Sequence, residues 1–314
     1  MKPDDENSIA HGKRPDIELE MDAMNRHIFG DKLLLGLSHL LGKPFFRNSV
    51  DGPDFETIRT SIAIQGEFAA TPGYVPIRAK TIDGVHEAGF KVLHWRGAHA
   101  PLILFNQGGG EQPFDRSVAK MFPEDSDTTC NVIAVQTSSQ HSLKDLNRNF
   151  ASLTTYTTMV ALAVELTQWL LEHPLLSERA GAAVTGYSLG GFVTNRHHLI
   201  HDTADVYLPF VAGTRHAEIF FTSIRSGDPA QRNPDRVRDA LNFDHAWMEV
   251  PHPNVFPSLG RYDQLNLLEI QRPSYGDMPV EIWEGGHLYG VRRPDMLRRR
   301  IETKLMEAIQ QKEV

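Results

Sequence analysis

The sequence is poor in cysteine: Cys130 is the single cysteine among 314 residues, so no intrachain disulfide can form. The absence of disulfides excludes a disulfide-stapled fold and is typical of proteins kept in a reducing compartment. The first 20 residues are polar and lack the apolar run and small-residue cleavage site of a secretory signal. We therefore expect a cytoplasmic protein.

Long apolar runs and an excess of basic charge are also missing. The longest apolar stretch, around 159–171, is interrupted by Glu165 and Gln168 and is too short and too polar for a membrane span. Acidic residues number 40 against 32 basic ones, a formal net charge of −8. Because nucleic-acid binders usually present a basic surface, we expect neither a nucleic-acid partner nor a membrane span.

Metal-binding patterns are absent as well. The sequence contains no H-E-x-x-H motif and no Cys/His spacing suited to zinc. We therefore expect no metal and no cofactor, with a small molecule as the partner. The sequence leaves open whether the chain forms a homo-oligomer.

What the sequence does contain is an alternation of apolar strands and helices. Three short strands are expected between 57 and 95, and each is expected to pair antiparallel with the next. From residue 101 onward the predicted strands are PLILFN, NVIAVQT, GAAVTGYS, VYLPFVAG, NVFPSLG and PVEIWEG, with helices over 115–121, 153–173, 189–201 and 294–311. Continuous apolar runs are typical of strands buried on both faces. The pattern predicts an α/β fold: a mostly parallel, doubly wound sheet with helices on both faces.

The chain is expected to form one large domain. We predict a disordered tail over 1–20 and a single domain over 21–314, which would include a helix from about 33 to 41 that packs on it. The stretch 214–253 breaks the alternation of strands and helices. It is interpreted as a small insertion or cap after the sixth strand, or alternatively as a long helical crossover.

The sharpest motif is Gly186-Tyr187-Ser188-Leu189-Gly190-Gly191, which matches G-x-S-x-G between a strand and a helix. Glycines flanking a serine allow the tight turn that lifts its hydroxyl above the sheet, and the helix that follows favours an oxyanion. By this motif and its context, the region from Pro101 onward resembles the α/β-hydrolase superfamily. The resemblance implies a doubly wound α/β-hydrolase sheet with Ser188 as the nucleophile.

A second glycine-rich loop, Gly108-Gly109-Gly110, follows the strand PLILFN. In the family that the chain resembles, this loop supplies one oxyanion-hole amide, and the residue after the nucleophile supplies the other. The resemblance therefore implies donors at Gly108 or Gly109 and at Leu189. Gln107 occupies a position where the family often has histidine. We expect Gln107 and Tyr187 to contact substrate.

The acid and base are chosen by their places after the last two strands. His287 follows the final strand, after two glycines, while the 14 other histidines lie elsewhere in the chain. Asp263 follows the penultimate strand; Asp244 and Asp277 are the alternatives, and Asp263 could also serve as a helix N-cap. With Ser188, these residues give the order Ser, Asp, His of the superfamily.

The combined motifs predict a serine hydrolase that cleaves a carboxylic ester through an acyl-enzyme intermediate. The ester preference is what the resemblance implies. An acyltransferase, a thioesterase or a peptidase with the same triad remains open, as does a non-catalytic binding protein on this scaffold.

Overall fold

The computed structural model describes residues 25–33, 44–137, 143–224 and 227–312. The predicted tail over 1–20 and most of the predicted helix over 33–41 lie outside these residues.

Nine strands form one mixed sheet in the described part of the chain. They are β1 (Ala63–Gln65), β2 (Gly73–Thr81), β3 (Gly84–His94), β4 (Leu102–Asn106), β5 (Asn131–Gln136), β6 (Ala182–Tyr187), β7 (Val206–Phe210), β8 (Ser258–Gly260) and β9 (Glu281–Trp283). Their order is β1-β2-β3-β5-β4-β6-β7-β8-β9. The pairs β1-β2, β2-β3 and β3-β5 are antiparallel. All pairs beyond β5 in this order, from β5-β4 to β8-β9, are parallel.

Twelve helical segments surround this sheet within the described residues. They are α1 (25–33), α2 (Phe55–Thr60), α3 (Arg116–Met121), α4 (Leu143–Asn149), α5 (Leu153–Leu171), α6 (Leu189–Ile200), α7 (Ile219–Thr222), α8 (Gly227–Ala230), α9 (Pro234–Leu241), α10 (Asp244–Trp247), α11 (Leu268–Gln271) and α12 (Pro294–Lys312). Three short 3₁₀ turns lie at Pro174–Leu176, His216–Glu218 and Pro273–Tyr275.

Both faces of the sheet are covered, as the sequence predicted. Along β4, Leu102 and Leu104 pack on the side that carries α5, while Ile103 and Phe105 pack on the side that carries α3 and α12. Side chains alternate between the faces of a strand, so a strand buried on both sides must be apolar throughout. The prediction of a mostly parallel, doubly wound α/β sheet is thus confirmed.

The helices of 214–253 lie outside α5 and α6 and form a third layer. Phe220, Val237 and Leu241 from this segment share an apolar cluster with Phe55 of α2 and Val193 of α6. The segment follows β7, which is the seventh strand in chain order when the short edge strand β1 is counted. That it acts as a cap is a proposal.

The site is positioned by the parallel half of the sheet. Strands β4, β6, β8 and β9 run in the same direction, so the loops that follow them leave from one edge. Ligands in such sheets bind at the carboxyl ends of the strands. The residues chosen from the sequence lie in these loops.

Candidate active site

Ser188 lies in a strained turn between β6 and α6. Its backbone has φ 56° and ψ −114°, a conformation that costs of order 1–3 kcal/mol and that is concentrated at functional sites. The turn is held by a 2.9 Å hydrogen bond from the Ser188 amide to the Phe210 carbonyl. A Cβ at Gly190 would overlap with the Asn106 carbonyl oxygen, which explains the glycine. The serine itself is half-buried.

Asp263 and His287 are brought together from two different loops. The imidazole Nδ1 of His287 lies 2.8 Å from Asp263 Oδ2, and both side chains are buried. The other carboxylate oxygen, Oδ1, accepts the amides of Leu265 and Asn266 at 2.8 and 2.9 Å. The Asp263 carboxylate therefore has a determined orientation, and Nε2 is the imidazole nitrogen left for chemistry.

A tyrosine connects the serine turn to the histidine loop. The Tyr187 hydroxyl donates to the His287 carbonyl at 2.5 Å and accepts the Gly290 amide at 3.1 Å. The rings of Tyr187 and His287 have their centroids 6.0 Å apart. His287 is thus held beside the residue that precedes Ser188.

The Ser188 hydroxyl makes no hydrogen bond to His287 or to any other residue in the described parts of the chain. Hydrogen bonds of this kind are often long or poorly aligned before substrate binds. The structure therefore brings the acid and the base together directly, and the serine only to the neighbouring turn.

The environment of His287 favours its cationic form. Burial lowers the pKa of His287, but the charge of Asp263, the hydrogen bond to it and the charge of Asp31 together raise the pKa above its ordinary value. A carboxylate within hydrogen-bonding distance stabilises the imidazolium, as a general base requires when it takes a proton.

The glycine loop after β4 lies against the start of α6. A Cβ at Gly109 would lie 3.6 Å from the Leu189 Cβ, so the two residues are neighbours. Leu189 is the first residue of its helix, where backbone amides have no partner within the helix. Burial raises the pKa of the Glu111 carboxyl, while the backbone of Gly108, which faces this carboxylate, lowers it. Gly109 is therefore the better candidate donor of the loop.

The expectation that Tyr187 and Gln107 contact substrate needs correction. Tyr187 is 4% exposed and packs in the apolar cluster beneath the sheet, with its hydroxyl occupied as described above. Gln107 is 1% exposed; its amide nitrogen donates to the Glu111 carbonyl, and its side-chain oxygen accepts the Thr137 hydroxyl. Both residues support loops of the site from below, because a strand buried on both faces turns its last side chains into the core.

Two carboxylates near the site, Glu111 and Asp31, were not identified from the sequence. The Glu111 carboxylate accepts the Ser117 amide of α3, and the Glu111 amide donates to the Gly108 carbonyl in the glycine loop. Asp31 of α1 accepts the amide of His287 at 2.7 Å. Glu111 could have been noticed directly after the glycines, whereas Asp31 lies in a polar segment with no motif.

One cavity lies away from the candidate site. It measures about 960 Å³, is lined by Arg196, Arg215, Glu218 and Asp244, near α9 and α10, and contains neither Ser188 nor His287. No group of three or more His, Cys, Asp or Glu residues is arranged to hold a metal ion in the part of the chain that the structure describes. None of the described helices is both long and apolar enough to cross a membrane.

The sheet order, the strained serine turn and the loops at one edge define the α/β-hydrolase fold. Solved structures share it. An acylaminoacyl peptidase of Pyrococcus horikoshii matches with a TM-score of 0.53 and 16% identity over 74% of this chain and 40% of that chain. This chain therefore spans less than half of the length of that peptidase.

Two esterases match over nearly their whole length. An esterase of Pyrococcus furiosus has a TM-score of 0.51 and 13% identity, over 78% of this chain and 97% of that one. An acetyl xylan esterase from Paenibacillus sp. R4 has a TM-score of 0.51 and 12% identity, over 93% and 95%. No protein-family model matches the sequence, and no curated protein matches it. At these identities the likeness establishes the fold.

Proposed function

We propose that the protein is a serine hydrolase that cleaves carboxylic esters. The observation that carries the proposal is the buried 2.8 Å contact between His287 and Asp263, held beside the strained turn of Ser188 by Tyr187. An acid–imidazole pair next to a strained serine turn is the arrangement needed for nucleophilic acyl transfer. A non-catalytic binding protein would have no need to bury such a pair there.

In the proposed reaction, Ser188 Oγ attacks the ester carbonyl while His287 Nε2 takes the hydroxyl proton. Asp263 stabilises the imidazolium. The oxyanion is bound by the amides of Gly109 and Leu189, two neighbouring residues whose amides donate to no other described residue. His287 then protonates the leaving alcohol, and water releases the acid from the acyl-enzyme by the same steps in reverse.

Ester cleavage is preferred over peptide cleavage on the basis of the structural likeness. The two esterases match over 97% and 95% of their length, whereas the peptidase matches over 40% of its length. The extent of the fold, rather than any feature of the site, therefore supports the ester proposal.

The test is hydrolysis of p-nitrophenyl esters of increasing acyl length by the wild type and by Ser188→Ala. We expect the variant to lose roughly 10⁴-fold or more in kcat, because nucleophile and base act as a unit. A fluorophosphonate probe should label the wild type and leave the variant unlabelled. A folded wild-type protein that is neither labelled nor active on any ester would refute the proposal.

The hydrolase is distinguished from an acyltransferase by product analysis. With added alcohols or amines, a hydrolase yields mainly the free acid. If the acyl group goes mainly to the added alcohol or amine, the protein is an acyltransferase, in which that acceptor takes the place of water in the last step.

A further inference from the structure

Asp31 of α1 connects the loops that carry the candidate acid and base. A single oxygen, Oδ2, accepts the amide of His287 at 2.7 Å and the amide of Gln264 at 3.1 Å. Gln264 directly follows Asp263. The one carboxylate therefore binds the backbone of both loops at the point where they present Asp263 and His287 to each other.

The approach of Asp31 depends on a glycine. A Cβ at Gly286 would lie 2.6 Å from Asp31 Oδ2, so any side chain at 286 would push the carboxylate away. Glycine at this position lets α1 come close enough for the His287 amide to be bound. This is a reason for Gly286 that the flexibility of the loop alone does not supply.

A second side chain of α1 contacts the same two loops. His27 lies four residues before Asp31, which places it on the same face of the helix. Its ring stacks on Tyr262 at 6.3 Å and meets the edge of Tyr289 at 5.8 Å. Tyr262 precedes Asp263, and Tyr289 follows His287 by two residues. α1 thus spans both loops with two successive turns.

The position of Asp31 is costly, which points to a role beyond packing. The carboxylate is 2% exposed, and among the described residues no cationic side chain is bonded to it. The pKa of Asp31 is raised overall: burial and the nearby charge of Asp263 raise it by more than the two amide hydrogen bonds lower it. A buried carboxylate whose bonded partners are two backbone amides is more easily explained by what it holds than by the stability it contributes.

We propose that Asp31 is a positioning residue, which locks the loops of Asp263 and His287 in their paired arrangement and adds negative charge next to the imidazole. The catalytic part of this proposal rests on the proposed hydrolase function. The structural part, that one carboxylate joins two loops, stands independently of that function.

The titratable groups around this pair come from four elements. The loop after β8 contributes Asp263, the loop after β9 contributes His287, β6 contributes Tyr187, and α1 contributes His27. The charges of Arg293 and Arg292 also act on His27 and lower its pKa. Tyr187 and His27 are neutral near pH 7, since burial raises the pKa of the first and lowers that of the second. An Asp31 substitution therefore removes one negative charge, and the ionisable groups that feel its loss are Asp263 and His287.

Two substitutions in the full chain separate position from charge. Asp31→Ala removes the acceptor of both amides. Asp31→Asn keeps an oxygen that can accept them but removes the charge. Hydrogen exchange followed by NMR is expected to show faster exchange at the amides of residues 264 and 287 in Asp31→Ala, and wild-type exchange in Asp31→Asn.

Kinetics give the second measurement. In Asp31→Ala we expect kcat to fall by about 10- to 100-fold with a small change in KM, because a misplaced base costs rate rather than binding. Asp31→Asn should keep kcat within about threefold at its optimum. The acidic limb of its kcat/KM profile should move to lower pH by about half a unit, because a negative charge that favours the imidazolium is gone.

Asp205, a partly buried carboxylate that also pairs with Lys312, provides a control away from the site. Its carboxylate accepts the Ala182 amide at 2.8 Å at the start of β6, away from the edge where the site lies. Asp205→Ala and Asp205→Asn should leave the pH profile and the exchange at 264 and 287 unchanged.

Wild-type exchange, kcat and pH profile in Asp31→Ala would overturn the proposal. So would a loss of thermal stability alone, matched by Asp205→Ala. If the wild type hydrolyses no ester, the proposed function fails, and the exchange measurement still decides whether Asp31 holds the two loops.

Discussion

At the residue scale, buried hydrogen bonds fix the orientation of the candidate base, His287. His287 is bonded at its ring to Asp263, at its amide to Asp31 and at its carbonyl to Tyr187. Removal of one partner leaves the others buried and unpaired, which costs more than the bond itself contributes. Substitutions that keep the shape of a side chain and remove one polar group therefore test the site most directly.

The first residue-scale prediction concerns the acid. In Asp263→Asn, kcat should fall by about 10³- to 10⁴-fold, because the amide no longer stabilises the imidazolium or its tautomer. The raised pKa of His287 should also fall, since burial then acts with less opposition. The acidic limb of kcat/KM, which we expect above the ordinary histidine pKa in the wild type, should then move to lower pH. An unchanged limb would show that another group is the base.

The second concerns the bond between the two loops. Tyr187→Phe leaves the His287 carbonyl and the Gly290 amide without their buried partner, at a cost of about 1–3 kcal/mol in the free energy of unfolding. We also expect kcat to fall, as the imidazole is held less firmly. Tyr207→Phe is the control, since this buried hydroxyl bonds the Ala204 amide at the other end of the sheet. Equal effects of the two variants on kcat would contradict the interpretation.

At the scale of the elements, β4 and α6 lie so close together beside the serine turn that there is no room for a side chain at position 190. Gly190 is the first glycine of α6 and packs directly on the backbone at the end of β4. The distance between these elements is therefore set by backbone atoms, which cannot move aside as a side chain can.

Gly190→Ala should lower the free energy of unfolding by about 3 kcal/mol, because its Cβ would displace the Asn106 carbonyl or the helix. Urea denaturation measures the change. Gly30→Ala in α1 is the opposite case: no atom lies within 4 Å of its Cβ, so the helix should gain about 0.5–1 kcal/mol. Wild-type stability of Gly190→Ala would mean that the two elements are not held at this distance.

A buried arginine joins α6 to the outer layer of helices. The Arg196 guanidinium lies between the rings of Phe55 and Phe243 at 3.9 and 4.4 Å. It also donates to the carbonyls of Ala240 and Leu241 at the end of α9, where the helix dipole favours a cation. Burial lowers its pKa to about 9, which leaves it charged at neutral pH.

Arg196→Met should lower the free energy of unfolding by about 2 kcal/mol, since the methyl thioether fills the space but leaves two carbonyls unpaired. The measurement is the urea midpoint. The exposed Arg299→Met on α12 should leave that midpoint within experimental error. A neutral result for Arg196→Met would mean that the cost of burying the charge offsets its contacts.

At the scale of the whole molecule, buried neutral histidines make the fold sensitive to acid. Burial lowers the pKa of His197, and lowers that of His216 to about 3. A histidine with a depressed pKa in the folded state contributes stability that is complete above the unfolded value of about 6.5 and is lost as pH falls toward the folded value. His287, whose pKa is raised, has the opposite trend above that range: its contribution to stability is lost as pH rises through the folded pKa.

The free energy of unfolding should therefore fall by about 1.4 kcal/mol per pH unit for each such histidine between pH 6.5 and 5. His216→Gln, which retains an acceptor for the Tyr156 hydroxyl, should reduce this slope by about one proton. The exposed His99→Gln should leave it unchanged. The urea midpoint measured across this range decides the matter, and equal slopes for wild type and His216→Gln would refute the assignment.

The sequence alone determined which segments form the sheet and where its serine turn lies. Strands buried on both faces must be apolar throughout, and a turn as tight as that of Ser188 requires glycine beside it, so both leave a local signature. Short elements leave less: α2 has six residues, too few for a helical period, and was missed although Asp54 caps it. The predicted strand 254–260 proved to be three residues long, since periodicity does not fix where pairing begins.

Only the tertiary structure decided which side chains meet. Asp31 lies 256 residues from His287, and no pattern in the chain links them. Tyr187 is buried in a cluster with α12, and the Gln107 amide bonds the Val135 carbonyl of β5; a motif does not encode either contact. Local patterns report the conformation of the backbone, whereas contacts between distant residues follow from how whole elements pack.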